Sequence, residues 1–86
     1  MTPEQIAAEA DELARRLRAR GYYVNALDSL TDTAGCGAAL GISTRQLERW
    51  RQEGKGPMCH LTTRWLYPLR GLVAFLDEHD MRRHSA

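Results

Sequence analysis

The chain has 86 residues, 12 Lys and Arg against 11 Asp and Glu for a formal net charge of +1, and is 43% hydrophobic and 27% charged. That is enough chain for one modest hydrophobic core and too little for two, and the balance of apolar and charged residues argues against disorder. No apolar run approaches the roughly 18 residues of a spanning helix, and residues 1–5 are polar and acidic where a secretory leader starts basic, so a cytoplasmic protein with no membrane partner is expected.

Thr2-Pro3-Glu4-Gln5 reads as a helix start, with Thr2 as N-cap, Pro3 at the first helical position and Gln5 closing a capping box. Behind it Ile6, Ala10, Leu13, Ala14 and Leu17 recur at three- and four-residue steps. Acids lead, arginines trail and Gly21 is a stop, which predicts a helix over 3–20. Residues 22–30 read as a connector in which Tyr22-Tyr23-Val24 is a short extended piece and Asn25-Ala26-Leu27-Asp28 a turn or helical turn. Thr31 or Asp32 caps a second helix over 32–40 that contains Gly35 and Gly37. Each glycine costs about 1 kcal/mol relative to alanine inside a helix, so something there demands small side chains. Gly41-Ile42-Ser43 breaks this helix, and Ser43-Thr44-Arg45-Gln46 is a second capping box that opens a helix running through Leu47 and Trp50 to Gly54.

Met58-Cys59-His60-Leu61 and Arg64-Trp65-Leu66-Tyr67 flank Thr62-Thr63 as a β-hairpin, although Thr-Thr is a poor hairpin turn. Trp65 and Tyr67 are assigned to opposite faces, the inward one sealing the hairpin onto the second and last helices. Pro68 stops the strand and starts that last helix, whose apolar face is Leu69, Leu72, Val73 and Leu76 with Phe75 beside it, while residues 81–86 read as a frayed tail. Cys36 and Cys59 read as buried thiols, and with His60, His79 and His84 they fit no zinc spacing, so neither metal nor cofactor is expected.

Charge is distributed unevenly. Residues 1–20 balance Glu4, Glu9, Asp11 and Glu12 against Arg15, Arg16, Arg18 and Arg20, whereas residues 45–70 set Arg45, Arg49, Arg51, Lys55, Arg64 and Arg70 against only Glu48 and Glu53. Such a local surplus is what a DNA-facing surface needs. A helix-turn-helix also needs a small residue where its helices touch and, four positions later, one tolerant of positive φ; Gly37 and Gly41 fall at those offsets. Cys36, Leu40, Ile42, Leu47 and Trp50 then fill the space between the helices. A plain helical hairpin shares these offsets, but with Leu47 and Trp50 inward, Thr44, Arg45, Glu48, Arg49 and Gln52 face out as an arginine-bearing surface.

The run from Leu40-Gly41-Ile42-Ser43-Thr44-Arg45-Gln46-Leu47-Glu48-Arg49-Trp50 through Glu53-Gly54-Lys55-Gly56-Pro57, with Leu30-Thr31 before it and Arg64-Trp65-Leu66-Tyr67 and Leu72-Val73-Ala74-Phe75-Leu76 after it, resembles the excisionase-type winged helix-turn-helix proteins (recombination directionality factors) of the MerR-like DNA-binding fold. The resemblance covers about residues 30–78. It departs from the family at Cys36-Gly37, where two alanines are usual, and in the extension formed by residues 1–29. It implies a mainly α fold with a small β-hairpin and an extra N-terminal helix: residues 1–29 as helix and connector, 30–80 as the DNA-binding domain and 81–86 as a tail. It further implies a phage or mobile-element protein that binds and bends double-stranded DNA in a bacterial host, with an integrase or other recombinase as partner. A small transcription regulator is the alternative on the same residues.

In that fold the helix after the turn enters the major groove and the hairpin wing reaches the neighbouring backbone or minor groove. Arg49 is expected on a guanine O6/N7 edge and Arg45 on a phosphate or base. Thr44 suits a phosphate at the helix N-terminus, Ser43 and Gln46 either contact DNA or cap that terminus, and Glu48 reads a cytosine N4 or pairs with Arg45, Arg51 or Gln52. On the wing, Thr62, Thr63 and Arg64, flanked by His60, are expected to hold phosphates, with Lys55 adding one more. So few contacts call for a homodimer or cooperative binding on DNA. The alanine-rich face of the first helix either packs on the domain or is a dimer seam. No enzyme is expected, because no nucleophile has a histidine at a recognisable spacing and no glycine-rich phosphate loop follows a strand. The rival of another class is a protein-interaction module, antitoxin-like or an assembly adaptor, which the small net charge favours.

Overall fold

The computed structural model describes residues 1–25, 27 and 29–79. The elements run α1 (Pro3–Ala19), β1 (Val24–Asn25), β2 (Leu30–Asp32), α2 (Thr33–Leu40), α3 (Thr44–Gln52), β3 (His60–Leu61), β4 (Trp65–Pro68) and α4 (Leu69–Glu78). The four strands form one antiparallel sheet in the order β1-β2-β4-β3, so the fold is mixed α and β. Helices still make up most of the regular structure, but the expected single hairpin is extended to four strands: half of them come from residues read as connector and helix cap. Strands of two and three residues are too short to display a period of two, and pairing with β4 is what makes β2 a strand and, through it, β1. The expected tail and, within the expected turn, Ala26 and Asp28 lie outside the described residues.

Helix α1 starts as its residues dictate. Gln5 N–H donates to Thr2 Oγ1 at 3.1 Å, and Thr2 N–H donates to Gln5 Oε1 at 2.8 Å. Ala10, Ala14 and Leu17 are buried and join Tyr67, Leu69, Leu72, Val73 and Leu76 in one core, with α1 packed on α4, α2 and β1. The apolar stripe of α1 is therefore spent within the chain, and residues 1–29 share their core with the rest.

The chain then turns into β1 and β2, whose register pairs Val24 with Thr31 and Asn25 with Leu30. Thr31 is fully buried, and its hydroxyl donates to the Tyr23 carbonyl at 2.7 Å, so this buried polar side chain is satisfied. Asp32 caps α2 by accepting from Gly35 N–H at 3.0 Å. The two costly glycines of α2 are steric requirements. A Cβ on Gly35 would lie 1.9 Å from Thr31 Oγ1, and one on Gly37 would lie 2.9 Å from the Ile42 carbonyl, the point where the α2–α3 turn folds back. Gly41 caps α2 at φ 74°, the left-handed conformation that favours glycine.

Pro68 ends β4 and serves as N-cap of α4, whose Leu69, Leu72, Val73 and Leu76 are buried as the spacing predicts. The hairpin is shorter than expected, and its loop takes the wider form that the poor Thr-Thr turn leaves open. Met58 and Cys59 precede β3, and the register His60–Leu66, Leu61–Trp65 leaves Thr62, Thr63 and Arg64 as a three-residue loop. Threonine disfavours the positive φ that a two-residue hairpin turn demands, so the chain takes the longer connection.

The contact between Gly35 and Thr31 makes a double-mutant cycle informative. Gly35→Ala is expected to destabilise the fold by about 1–3 kcal/mol, the range for overpacking. In a Thr31→Ala background the added methyl no longer meets Oγ1, so its cost should drop, as read by denaturant melts. Equal costs in both backgrounds would show that the clash is not with Thr31.

Candidate nucleic-acid interface

Helix α3 has two faces with different fates. Leu47 is fully buried, Trp50 is half-buried with its ring centroid 5.8 Å from that of Phe75, and Arg51 follows on the same side. Opposite them Thr44, Arg45, Glu48, Arg49 and Gln52 are exposed. Arg45 and Arg49 stand one helical turn apart, and among the described residues neither forms an ion pair. The intrahelical ion pairs considered for Glu48 do not form among the described residues either. Of the box predicted for Ser43 and Gln46, the Ser43 half is in place: its Oγ accepts from Gln46 N–H at 3.1 Å, leaving Ser43 exposed and Gln46 half-buried.

Arg51 holds α3 against the sheet. Its Nη1 donates to Tyr67 Oη at 2.8 Å, and its guanidinium lies 4.5 Å from the centroid of the Trp65 ring. The assignment of Trp65 and Tyr67 to opposite faces is thereby corrected. Residues two apart in a strand share a face, and both aromatics meet the same arginine. Sequence reasoning missed Arg51 as a site-organising residue, yet its spacing from Leu47 and Trp50 places it on the inward side of α3.

The wing loop is braced from behind. Arg64 turns back from the tip, with Nη1 3.4 Å from Asp32 Oδ2 and its guanidinium 4.1 Å from the Tyr23 ring centroid. It keeps half of its side-chain surface, but its charge is answered by the same carboxylate that caps α2. Thr62 is engaged locally, its hydroxyl and N–H both donating to the Arg64 carbonyl at 3.2 and 3.0 Å. Thr63 and His60 are exposed. Lys55 is exposed and lies 3.7 Å from Glu53 Oε1, a solvated pair that weighs little. Of the cations predicted for the site, those without an ion-pair partner among the described residues are thus Arg45 and Arg49 on the outer face of α3; on the wing His60, Leu61 and Thr63 are exposed, as are Thr62 and Arg64, which are engaged locally.

Behind this surface lie two free thiols, Cys36 fully buried and Cys59 half-buried, the second less enclosed than expected. Burial above all, with neighbouring Cys59 adding, pushes the Cys36 thiol up to about 12, so it is no nucleophile at neutral pH. Burial likewise raises the Tyr67 phenol, with Arg51 opposing. Among the described residues no group of three His, Cys, Asp or Glu side chains is placed to hold a metal, and no helix is long and apolar enough to cross a membrane. Comparison of the chain with protein families, curated proteins and solved structures returns no match.

Two outcomes follow. Arg51→Met, which keeps an apolar stem but leaves Tyr67 Oη without its donor, is expected to cost about 1–3 kcal/mol and to alter Trp fluorescence; an unchanged melt would remove Arg51 from its bracing role. Stability should also fall as pH rises from 9 toward 12. The unfolded chain releases the Cys36 proton near the ordinary thiol value of 9.0 while the folded chain holds it to about 12, so the folded state binds more protons in that window. Guanidinium midpoints measured across it should decline, and less steeply in Cys36→Ala; parallel curves for the two proteins would contradict the assignment.

Proposed function

We propose that the chain is a winged helix-turn-helix protein that binds double-stranded DNA, with α2 and α3 as the two helices, α3 as the recognition element and the β3–β4 hairpin as the wing. The observation that carries the reading is the outer face of α3: Arg45 and Arg49, exposed, one turn apart and free of ion pairs among the described residues, on a helix pinned from behind by Leu47, Trp50 and Arg51. A rigid helix presenting two uncompensated guanidinium groups suits a phosphate-lined major groove. Arg49 then reads a guanine edge and Arg45 a base or phosphate. Thr44 meets a phosphate at the amino end of α3, where the free N–H groups and the dipole favour an anion. Ser43 and Gln46 organise that end, and Glu48 tunes base preference. On the wing His60 and Thr63 approach the backbone beside Lys55, while Thr62 and Arg64 shape the loop that carries them.

The resemblance to excisionase-type proteins supports an architectural role, bending DNA beside a recombinase. Transcription regulation rests on the same residues. Both require the duplex binding that the test addresses first.

Fluorescence anisotropy on a nonspecific duplex at low salt should give binding that weakens linearly in log–log form with added salt. On a preferred site Arg45→Ala with Arg49→Ala should cost about tenfold or more, each good bidentate base contact being worth about 1–3 kcal/mol. After selection of a preferred site, Arg49→Ala alone should relax preference at one position. No binding at low salt, or binding indifferent to both arginines, refutes the reading.

A further inference from the structure

The two faces of the wing have different surroundings. Arg64 turns to the face that holds Asp32 and Tyr23, and Asp32 stands opposite Leu66 in the sheet. Side chains alternate along β4, so Trp65 and Tyr67 lie on the other face, and Leu61, the direct cross-strand partner of Trp65, shares it. That is the face packed by α3, since Arg51 meets both aromatics. Leu61 therefore projects from the sheet toward the side on which α3 lies.

Leu61 is 60% exposed at the last strand position before the loop. An exposed leucine is ordinary in itself, but this one has a particular setting. His60, Thr62, Thr63 and Arg64 around it in the chain all carry hydrogen-bond donors, and no acid occurs between Glu53 and Asp77. Met58 is also exposed but lies apart, beside α4, its Cβ 3.6 Å from where a Cβ on Gly71 would stand. This face of the wing tip thus presents Leu61 among donors, and the contacts of Arg64 with Asp32 and Tyr23 support the tip from behind.

A lone leucine is too small an anchor for a protein partner, because stable protein interfaces bury about 800 Å² per side. A duplex can use one such side chain. Proteins that enter the minor groove insert an apolar wedge between neighbouring base pairs, while polar and basic groups around it hold the phosphates.

We infer that Leu61 is such a wedge. With α3 in the major groove, the wing enters the adjacent minor groove and Leu61 enters a base step, partly unstacking it and kinking the duplex. The inference rests on the duplex-binding reading of α3 and adds to it the residue that deforms the DNA. Pyrimidine–purine steps unstack most easily and are the steps Leu61 favours.

The test uses the full chain and a mixed-sequence duplex of about 30 base pairs that contains TA steps, a length over which free DNA is stiff. Fluorophores at the two ends report the bend by energy transfer, and anisotropy reports binding. Wild type should bind and raise the transfer by an amount that matches a kink of about 20–90°. Leu61→Ala should still bind in the salt-dependent way but lose most of the rise. Leu61→Gln, equal in length and polar, should lose it too and serves if the alanine variant fails to fold by circular dichroism; Leu61→Met, still apolar, should keep it. A wild type that binds without bending, or a folded Leu61→Ala or Leu61→Gln that bends the duplex as wild type does, overturns the inference and leaves the DNA-binding reading standing. Absence of wild-type binding overturns both.

Discussion

Strand β4 is paired on both sides, with β2 along Leu30–Pro68, Thr31–Tyr67 and Asp32–Leu66, and with β3 along His60–Leu66 and Leu61–Trp65. That double pairing ties the entry of α2 to the hairpin that follows α3, so the α2–α3 unit is closed at both ends by one strand. Tyr67, at the centre of it, is almost wholly buried and accepts a hydrogen bond from Arg51. Backbone pairing sets the position of the hairpin, and a charge-assisted hydrogen bond to a desolvated phenol fixes the rotation of α3 relative to it.

The outer face of α3 depends on this arrangement. With Leu47 buried, Trp50 tilted against Phe75 and Arg51 held by Trp65 and Tyr67, rotation about the helix axis is blocked. Arg45 and Arg49 are then held outward on a rigid support. The two ends of the unit are joined electrostatically as well, since Asp32 both caps α2 and receives Arg64 from the wing loop. One carboxylate therefore couples the start of the first helix of the unit to the tip of the hairpin.

Much of this was legible in the residues. The helix boundaries of α1, α2 and α4 follow from Thr2, Asp32 and Pro68, and the small residue at Gly37 and positive φ at Gly41 from the geometry of a tight helical turn. The outward set of α3 followed from Leu47 and Trp50 alone. The β3–β4 hairpin was legible, but β1 and β2 were not, because they are two and three residues long and exist through their partners. Arg64 appeared as a free wing cation because no local rule connects it to Asp32, 32 positions away. Gly35 likewise had no visible reason until Thr31, packed beneath it, supplied one.

By itself the sequence determined the local elements: caps, turns and the apolar stripes at helical spacing, all of which depend on neighbours within about one turn. Only the tertiary structure decided which cations face solvent unpaired and which are consumed in bracing. Arg45, Arg49, Arg51 and Arg64 are the same residue type in one basic stretch. Strand pairing brings Tyr67, Trp65, Asp32 and Tyr23 to two of them, and no ion-pair partner among the described residues to the other two. The availability of a guanidinium is a property of what the fold places beside it, and that distance is not written along the chain.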